Sequence, residues 1–594
     1  MAYPTGKTTG MVGVLKAPRE PYAWRANNFR RPAAKDLVVY EMLVRDFTTQ
    51  RTFRAAMDSL QYLKRLGVNC IELMPVSEFD GNNSWGYNPA FYCAVDKYYG
   101  TETNLREFVD SAHALGIAIV FDVVFNHTTG SCPLYQLYSA AQNPYFNVQA
   151  THPYSVFNDF NHEYIGTQQF MDRVLQFWVQ RFRADGFRFD LSKGFTQVNS
   201  GNNVAAWSAR DTSRIRLIKR MYDAVRKYDQ TAYLILEHFA DNSEETELAN
   251  YGLMFWGNSV YNYNEATMGY IGSSNFNWTY YGQRGWKQPN VLGYMESHDE
   301  ERLMFKNIKY GNSSDTYTTR DTVTALERMK MAATFFFTIP GPKMIWQFGE
   351  LGYDYSINYP SLSDGDRLTM KPARWDYYAD PRRRALYNVY SELTKLKVQQ
   401  PVFSSDSVTL SLSGAVKRIA INDPTNNVMI LGNFDVQPQT VTPNFQRIGT
   451  WNEFYTRRTL NVTDVNAPIM LRPGEFRLYS TTPFPAPQAG LLTSVRDEPL
   501  ISDAMPSAAY PNPASDASEI RFWLEKPARV SVKIYDASGR EIAIVADESM
   551  GKGEQRVVWT ARNVRGNEVS EGVYFYRIFT GDTARRSGKI VILR

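Results

Sequence analysis

From about residue 36 to residue 395, short apolar runs alternate with amphipathic segments, which predicts repeated strand and helix units. The first run, DLVVYEML, is followed by a segment at 53–66 with helical apolar spacing, and Gly67 is a helix stop signal. The later apolar runs are NCIELMPV, IAIVFDVVFNH, DGFRFDL, AYLILEHF, VLGYMESHD and KMIWQFGE. Six or more units in one region favour an α/β protein with a closed (β/α)8 TIM barrel over an open doubly wound sheet.

The remaining segments have other patterns. Residues 128–165, rich in Tyr, Asn and Pro, are too long for a simple loop and predict a small inserted domain after the third strand. Residues 396–483 contain short alternating strands and predict a β-sandwich. We interpret 484–508 as a linker, 509–594 as a second small all-β domain and 1–35 as a linker-like N-terminal segment.

Composition excludes several classes of function. The 594 residues are 43% hydrophobic and 21% charged, with a net charge of +4 and no dense Lys/Arg run, so we expect no nucleic-acid partner. No apolar run reaches the roughly 18 residues of a transmembrane segment. The three cysteines have neither metal-ligand nor disulfide-framework spacing. Aromatic residues make up 14%, which suits either large cores or surfaces that stack on sugar rings.

Charged and polar side chains collect where the predicted barrel strands end. They are Asp122, Asn126 and His127 at the end of the third strand, Arg188 and Asp190 at the end of the fourth, Glu237 at the end of the fifth, and Glu296, His298 and Asp299 at the end of the seventh. One such charge is usually a cap or a surface ion pair. In a parallel barrel, however, these ends lie on one face, so four strands ending this way predict a site.

The fourth strand, in DGFRFDLSKG, alternates apolar and charged positions. We expect Phe187, Phe189 and Leu191 to pack outward against helices, while Arg188 and Asp190 face the pocket. A cation beside Asp190 favours its ionised form.

Converging carboxylates suit the cleavage of a glycosidic bond. That reaction needs a proton donor for the leaving oxygen and an anion that attacks, or stabilises, the positively charged sugar carbon. Two carboxyl groups in one pocket raise each other's pKa, which helps to keep one protonated.

Four segments, DVVFNH, GFRFDLSK, LEHF and ESHD, resemble in order and spacing the signature segments of the α-amylase superfamily (glycoside hydrolase family 13). GVNCIELMPV, WGYNPAFYCAVDKYYGT, FNDFNHE and IPGPKMIWQFGELG resemble supporting segments of that family. The resemblance runs from about 36 to 395. It implies a (β/α)8 barrel and retaining chemistry on α-glucans.

Carried over residue by residue, the resemblance implies a catalytic triad of Asp190 as nucleophile, Glu237 as general acid and base, and Asp299 as the third carboxylate. The implied substrate-binding residues are Tyr87, Trp85, His127, Arg188, Lys193 and His298, with Tyr87 as a sugar-stacking platform. Either histidine taken alone would be better explained as structural, but in this setting we favour contact with the sugar. Trp85 could equally pack the loop.

The resemblance implies no cofactor for the chemistry but a structural calcium ion. Asn126 and Asp159 match calcium-ligand positions of the family, although both could merely cap loops. The chain departs from the family pattern at Lys193-Gly194, where many amylases have Lys-His and use the histidine carbonyl as a ligand.

The C-terminal unit, with YPNPASD, VSVKIYDASGRE, GVYFYRIF and KIVIL, resembles a sorting domain read by type IX secretion machinery. A generic β-sandwich is the alternative. The resemblance implies a secreted or cell-surface protein that engages the secretion machinery. The N-terminus lacks signal-peptide features, so we expect such a peptide to have been removed.

The leading functional hypothesis is an α-amylase-like hydrolase that acts on α-1,4 bonds of starch-like polysaccharide or oligosaccharide. A glucan branching enzyme or glucanotransferase on the same scaffold is the first alternative. A non-catalytic starch-binding protein is the second, and the presence of all three carboxylates counts against it.

Overall fold

The computed structural model describes residues 21–81, 83–154, 156–492, 507–524, 527–580 and 583–593. Residues 1–20 of the predicted N-terminal segment and 493–506 of the predicted linker lie outside the described residues. The chain forms two compact units, divided between residues 493 and 494.

Eight parallel strands close a barrel in the first unit, which confirms the predicted fold class. In chain order they are β1 (Val38–Met42), β2 (Cys70–Leu73), β3 (Ala118–Val124), β4 (Gly186–Asp190), β5 (Tyr233–Leu236), β6 (Met254–Asn258), β7 (Val291–Tyr294) and β8 (Lys343–Trp346). Each strand pairs with the next, and β8 pairs with β1. The carboxyl ends of all eight therefore share one mouth.

Helices fill the intervals between the strands. They are α1 (Val44–Phe47), α2 (Phe53–Met57), α3 (Leu60–Leu66), α4 (Glu102–Ala114), α5 (Pro133–Gln136), α6 (Ile165–Phe182), α7 (Val204–Ser208), α8 (Thr212–Arg226), α9 (Asn242–Tyr251), α10 (Val260–Met268), α11 (Leu303–Tyr310), α12 (Thr322–Thr338) and α13 (Pro381–Gln399). Polar caps fix several of them: a capping box at Thr101 starts α4, and the Asp211 carboxylate accepts backbone N–H bonds at the start of α8. Gly67, at φ 95°, ends α3 in the left-handed conformation.

The barrel strands divide their side chains between two cores. Phe187 and Phe189 of β4 belong, with Phe121 and Leu236, to the large outer core that also includes the helices. Apolar residues that include Val39, Cys70, Val120, Ile235 and Met344 form a separate core within the barrel. Arg188 and Asp190 alternate with the two phenylalanines and so share the face opposite the outer core.

The predicted outward position of Leu191 is wrong, because β4 ends at Asp190. Leu191 has a φ of 44°, in the left-handed region that non-glycine residues rarely adopt. Its backbone N–H donates to Glu237 Oε2 at 2.8 Å. The turn therefore contributes a backbone donor to the site instead of another apolar side chain to the core.

Two excursions interrupt the barrel near its mouth. A hairpin of Ser77–Phe79 and Pro89–Val95 follows β2, and the loop between its strands carries Trp85 and Tyr87. After β3, the bridge between His127–Thr128 and Asn158–Asp159 closes the small predicted insertion, which includes α5.

A β-sandwich follows α13, as predicted. Its strands are β9 (Val408–Ser411), β10 (Val416–Ile421), β11 (Val428–Asn433), β12 (Gln439–Val441), β13 (Gly449–Glu453), β14 (Thr459–Val462), β15 (Ile469–Leu471) and β16 (Phe476–Ser480). Six form an antiparallel sheet in the order β9-β10-β11-β16-β13-β14, and β12 pairs with β15.

The second unit is all-β, as predicted. Its strands are β17 (Ala508–Tyr510), β18 (Ser518–Leu524), β19 (Ala528–Tyr535), β20 (Glu541–Met550), β21 (Gly553–Trp559), β22 (Gly572–Thr580) and β23 (Thr583–Ile592). They form a three-stranded sheet, β17-β18-β21, and a four-stranded sheet, β20-β19-β22-β23, around a core that includes Ile534 and Trp559. Across the described parts of both units, no helix combines the length and apolar character needed to cross a membrane.

Candidate active site

One guanidinium joins the carboxylates at the mouth of the barrel. Arg188 Nη1 donates to both oxygens of Asp122 at 3.0 Å and to Asp190 Oδ1 at 2.9 Å. Its Nη2 lies 3.0 Å from Glu237 Oε2. Three consecutive strands, β3, β4 and β5, thus bring their terminal acids onto a single cation.

Exposure separates the groups that can reach a substrate from those that support them. The Arg188 side chain is fully buried, whereas the side chains of Asp190 and Glu237 are 13% and 14% exposed. Asp299, after β7, is the most open at 37%, and its Oδ1 accepts from Arg367 Nη2 at 2.9 Å. The three predicted catalytic acids therefore line the open side of the cluster, while Arg188 holds two of them from below.

Burial dominates the titration of this cluster. It raises the pKa of Asp190 well above the ordinary value; Glu237 and Asp122 act in the same direction, and Arg188 opposes them. Burial also raises the pKa of Asp122, to about 6, against the effect of Arg188. The Arg188 guanidinium therefore offsets only part of the effect of burial on these two carboxyl groups. Arg188 lowers the pKa of Asp190, as expected, but burial raises that pKa by more.

Tyr87 and the two predicted histidines form the wall beside the acids. The Tyr87 hydroxyl donates to Asp122 Oδ2 at 2.6 Å, and its ring stacks on His298 with centroids 5.0 Å apart. His127 Nε2 donates to the Tyr87 carbonyl at 2.8 Å, and Asn126 Nδ2 lies 3.1 Å from His127 Nδ1. His127 therefore fixes the loop that presents Tyr87.

Two further predicted substrate-binding residues lie within packed surroundings. Trp85 is 7% exposed and packs edge-on against His298, with centroids 5.3 Å apart. Lys193 Nζ donates to Ser208 Oγ and the Phe239 carbonyl, each at 3.0 Å, and sits over the Trp207 ring. Their proposed contacts with substrate stay predictions.

Sequence reasoning missed two acids in the barrel interior. Glu41 of β1 and Glu72 of β2 are register partners, at most 1% exposed, and Glu41 Oε1 lies 2.5 Å from His298 Nδ1. Their signal was a charged residue inside an otherwise apolar strand, YEM and IEL. Glu296, by contrast, does not join the site, because its Oε1 accepts from the Leu303 N–H at 2.8 Å.

Two of the positions considered for calcium, Asp159 and Gly194, already contact other groups of the protein. Asp159 Oδ2 accepts from Asn147 Nδ2 at 2.7 Å, and its Oδ1 lies 3.3 Å from His152 Nε2. The Gly194 carbonyl accepts from the Thr196 N–H at 2.7 Å.

Asn126 Oδ1 is buried without a hydrogen-bond partner, but it abuts Gly194 so closely that a Cβ there would collide with it. The same Cβ would lie 2.9 Å from His152 Nε2, and the His152 ring stacks on Trp207 with centroids 5.1 Å apart. Calcium requires six to eight oxygen ligands. This arrangement does not fit that ion, because the imidazole of His152 fills the space between Asp159 and Gly194.

Comparison with known families agrees with this geometry. The alpha amylase catalytic domain model matches residues 52–162 and 151–393, which together cover more than half of the chain. The secretion system C-terminal sorting domain model matches residues 508–593.

Individual relatives match part of the chain. It is 31% identical over 224 residues to the malto-oligosyltrehalose trehalohydrolase of Saccharolobus solfataricus, covering 37% of this chain and 36% of that protein. The chain is also 31% identical over 221 residues to the chloroplastic isoamylase 1 of Oryza sativa subsp. japonica, and this match covers 32% of this chain and 28% of that protein. The matches thus span about a third of these relatives. The crystal structure of an alpha-amylase from Geobacillus thermoleovorans superposes with a TM-score of 0.60 at 15% identity, covering 76% of this chain and 99% of that one.

The contacts around His152 predict stability without calcium. We expect the melting temperature to be unchanged by EDTA and by added calcium, because the imidazole of His152 already occupies this site. We expect His152→Ala to destabilise the first unit by about 1–3 kcal/mol, since it leaves a buried acceptor of Asp159 unpaired. Differential scanning calorimetry, with a calcium-dependent amylase as control, measures both. A drop of several degrees in EDTA that calcium restores would contradict this interpretation.

Proposed function

Because the chain belongs to the alpha-amylase family through its catalytic domain, we propose that it is a retaining α-glucan hydrolase. Its substrate is a starch-like polysaccharide or oligosaccharide, cut at α-1,4-glucosidic bonds. The observation that carries the proposal is the convergence of Asp190 and Glu237 on one buried guanidinium, at the mouth of the barrel and beside the stacked ring of Tyr87. No resident cofactor is needed for this chemistry.

The first step forms a covalent intermediate. A carboxylate oxygen of Asp190 bonds to the anomeric carbon as the bond from that carbon to the glycosidic oxygen breaks. Glu237 gives its proton to the departing oxygen, so the leaving chain ends in a hydroxyl group. The Leu191 N–H and Arg188 Nη2 then stabilise the Glu237 carboxylate left behind.

The second step releases the sugar. Glu237 takes a proton from a water molecule whose oxygen bonds to the anomeric carbon, and the ester bond to Asp190 breaks. Two inversions at the same carbon return the α configuration. After the second step Glu237 again carries a proton, and the Asp190 carboxylate again lies beside Arg188.

Asp299 has a different role from the two reacting acids. Burial favours its neutral form, but His298, Arg188 and Arg367 together lower its pKa, so Asp299 stays ionised. A fixed carboxylate at the open side of the pocket accepts hydrogen bonds from sugar hydroxyls and stabilises positive charge on the ring.

A second hydrolase candidate rests on the relative named malto-oligosyltrehalose trehalohydrolase. On the basis of that relative's name, the alternative substrate of this chain is a malto-oligosaccharide that ends in trehalose, cleaved by the same two-step reaction. A branching enzyme or glucanotransferase would use the same acids but pass the sugar to another hydroxyl group. A starch-binding protein without activity is disfavoured by the complete set of acids.

Export completes the proposal. The match of residues 508–593 to a secretion system sorting domain supports delivery to the cell surface or the medium by type IX secretion machinery. An extracellular site gives a hydrolase direct access to polysaccharides too large to enter a cell.

We expect Asp190→Asn to lower kcat on amylose by at least about 10⁴-fold, because the amide cannot form the covalent intermediate. Binding of maltoheptaose, measured by calorimetry, is retained. The matched control is Asp315→Asn, in an exposed loop of the same unit, which should keep full activity. Full activity of the Asp190 variant would refute its role as nucleophile.

We expect the first product to be the α anomer. Proton NMR during the first minutes of the reaction measures which anomer is released. Amylose, amylopectin, pullulan and malto-oligosyltrehalose tested in parallel define the linkage. New reducing ends in step with cleavage indicate hydrolysis. A change in iodine colour with few new reducing ends would identify a transferase instead, and an initial β anomer would rule out retention.

We expect Arg188→Gln to move the acid limb of the rate profile to higher pH. Without the cation the pKa of Asp190 rises further, so a smaller fraction of the nucleophile is ionised at any given pH. Rates measured between pH 4 and 8 test this, with the exposed Arg54→Gln as control. An acid limb that stays in place would show that Arg188 has no part in ionising Asp190.

A further inference from the structure

Beneath the candidate site lies a buried acid that the two-carboxylate reaction does not require. Glu41, in β1, is fully buried and its Oε1 lies 2.5 Å from His298 Nδ1. The other ring nitrogen, Nε2, lies 3.3 Å from Asp299 Oδ2. The imidazole of His298 is therefore held between two carboxylates, one at each nitrogen.

This geometry restricts the protonation of the ring. A neutral imidazole has one N–H donor and one acceptor nitrogen, so it can donate to only one of two carboxylates. The doubly protonated ring places an N–H beside each carboxylate. The contacts with Glu41 and Asp299 thus favour the imidazolium.

The wider surroundings agree with a charged ring. The titratable groups that face it are Asp299 and Glu300 on its own loop, Glu41 from β1, Asp122 from β3, Arg188 from β4, and the phenol of Tyr87. Burial lowers the pKa of the ring, and the positive charge of Arg188 lowers it further. Asp299 and Glu41 nevertheless prevail and raise the pKa of His298 to about 10.

We propose that Glu41 is a positioning residue that keeps His298 doubly protonated and aims its Nε2–H at the pocket, beside Asp299. This assignment rests on the proposed function, because it supplies a charged donor to the substrate site. When a sugar hydroxyl approaches Asp299, the same N–H is within reach to donate to it. Glu41 itself lies in the barrel interior and has no exposed surface with which to touch a substrate.

The neighbouring acid, Glu72, provides a matched comparison. It is the register partner of Glu41 on β2 and is equally buried. Burial raises the pKa of Glu72 well above the ordinary value, and the charge of Glu41 adds to that effect. Replacement of Glu72 by glutamine keeps the shape of the side chain and leaves the contact between Glu41 and His298 in place.

The direct test is a titration of the histidine rings by NMR. The chain has six histidines, so ¹³C-labelled imidazoles of the full chain give a tractable spectrum, and His298→Gln assigns the resonance. We expect His298 to stay doubly protonated through pH 8. In Glu41→Gln its midpoint falls by about one to three pH units, because the nearest opposite charge is lost. In Glu72→Gln the midpoint stays where it is in the unchanged chain.

Kinetics provide the second measurement. In Glu41→Gln, kcat/KM on maltoheptaose falls by about tenfold per pH unit above the new midpoint, while the acid limb stays in place. A residue that merely packed the barrel would lower activity at every pH alike.

The NMR result does not depend on activity, so it tests Glu41 even if the chain hydrolyses no glucan. An unchanged midpoint in Glu41→Gln overturns the proposal. If that variant does not fold, the unchanged chain still decides, because a His298 ring that loses its proton near pH 6.5 overturns the proposal equally.

Discussion

The site depends on the burial of a single positive charge. A fully buried guanidinium is strongly unfavourable unless carboxylates surround it, and carboxylates buried together are unfavourable without a cation. Arg188 meets both conditions by contacting Asp122, Asp190 and Glu237 from three neighbouring strands, with the face of Trp256 4.1 Å from its carbon. Any displacement of β3, β4 or β5 would leave one of these charges unpaired. The interaction that arranges the acids is thus the one that keeps this end of the barrel together.

Acids of the same chemical type differ here through their surroundings alone. Burial and neighbouring acids raise the pKa of Asp190, whereas one histidine and two arginines lower that of Asp299. Burial also raises the pKa of Glu72, in the barrel interior, well above the ordinary value. The surroundings of the pocket therefore disfavour the ionised form of Asp190 and favour that of Asp299.

Much of this arrangement was predictable from the sequence, because the period of two in β4 and the strand-end acids follow from elementary geometry. Glu41 and Glu72 were not predicted as part of the site, because the sequence of an apolar strand with a single acid does not show which face of the strand that acid occupies. The turn at Leu191 and the contact of Arg367 with Asp299 depend on loop conformations that no periodicity encodes. The position of His152 likewise becomes visible only when the inserted segment is folded back against Gly194.

The central claim, that Asp190 forms a covalent bond to the sugar, is most directly tested by trapping that bond. Glu237→Gln treated with α-maltosyl fluoride completes the first step, because fluoride leaves without a proton, but lacks the base for the second. Peptide mass spectrometry should then find one maltosyl group on the peptide that contains Asp190, and none when Asp190→Asn is added. A maltosyl group on another residue would contradict the account.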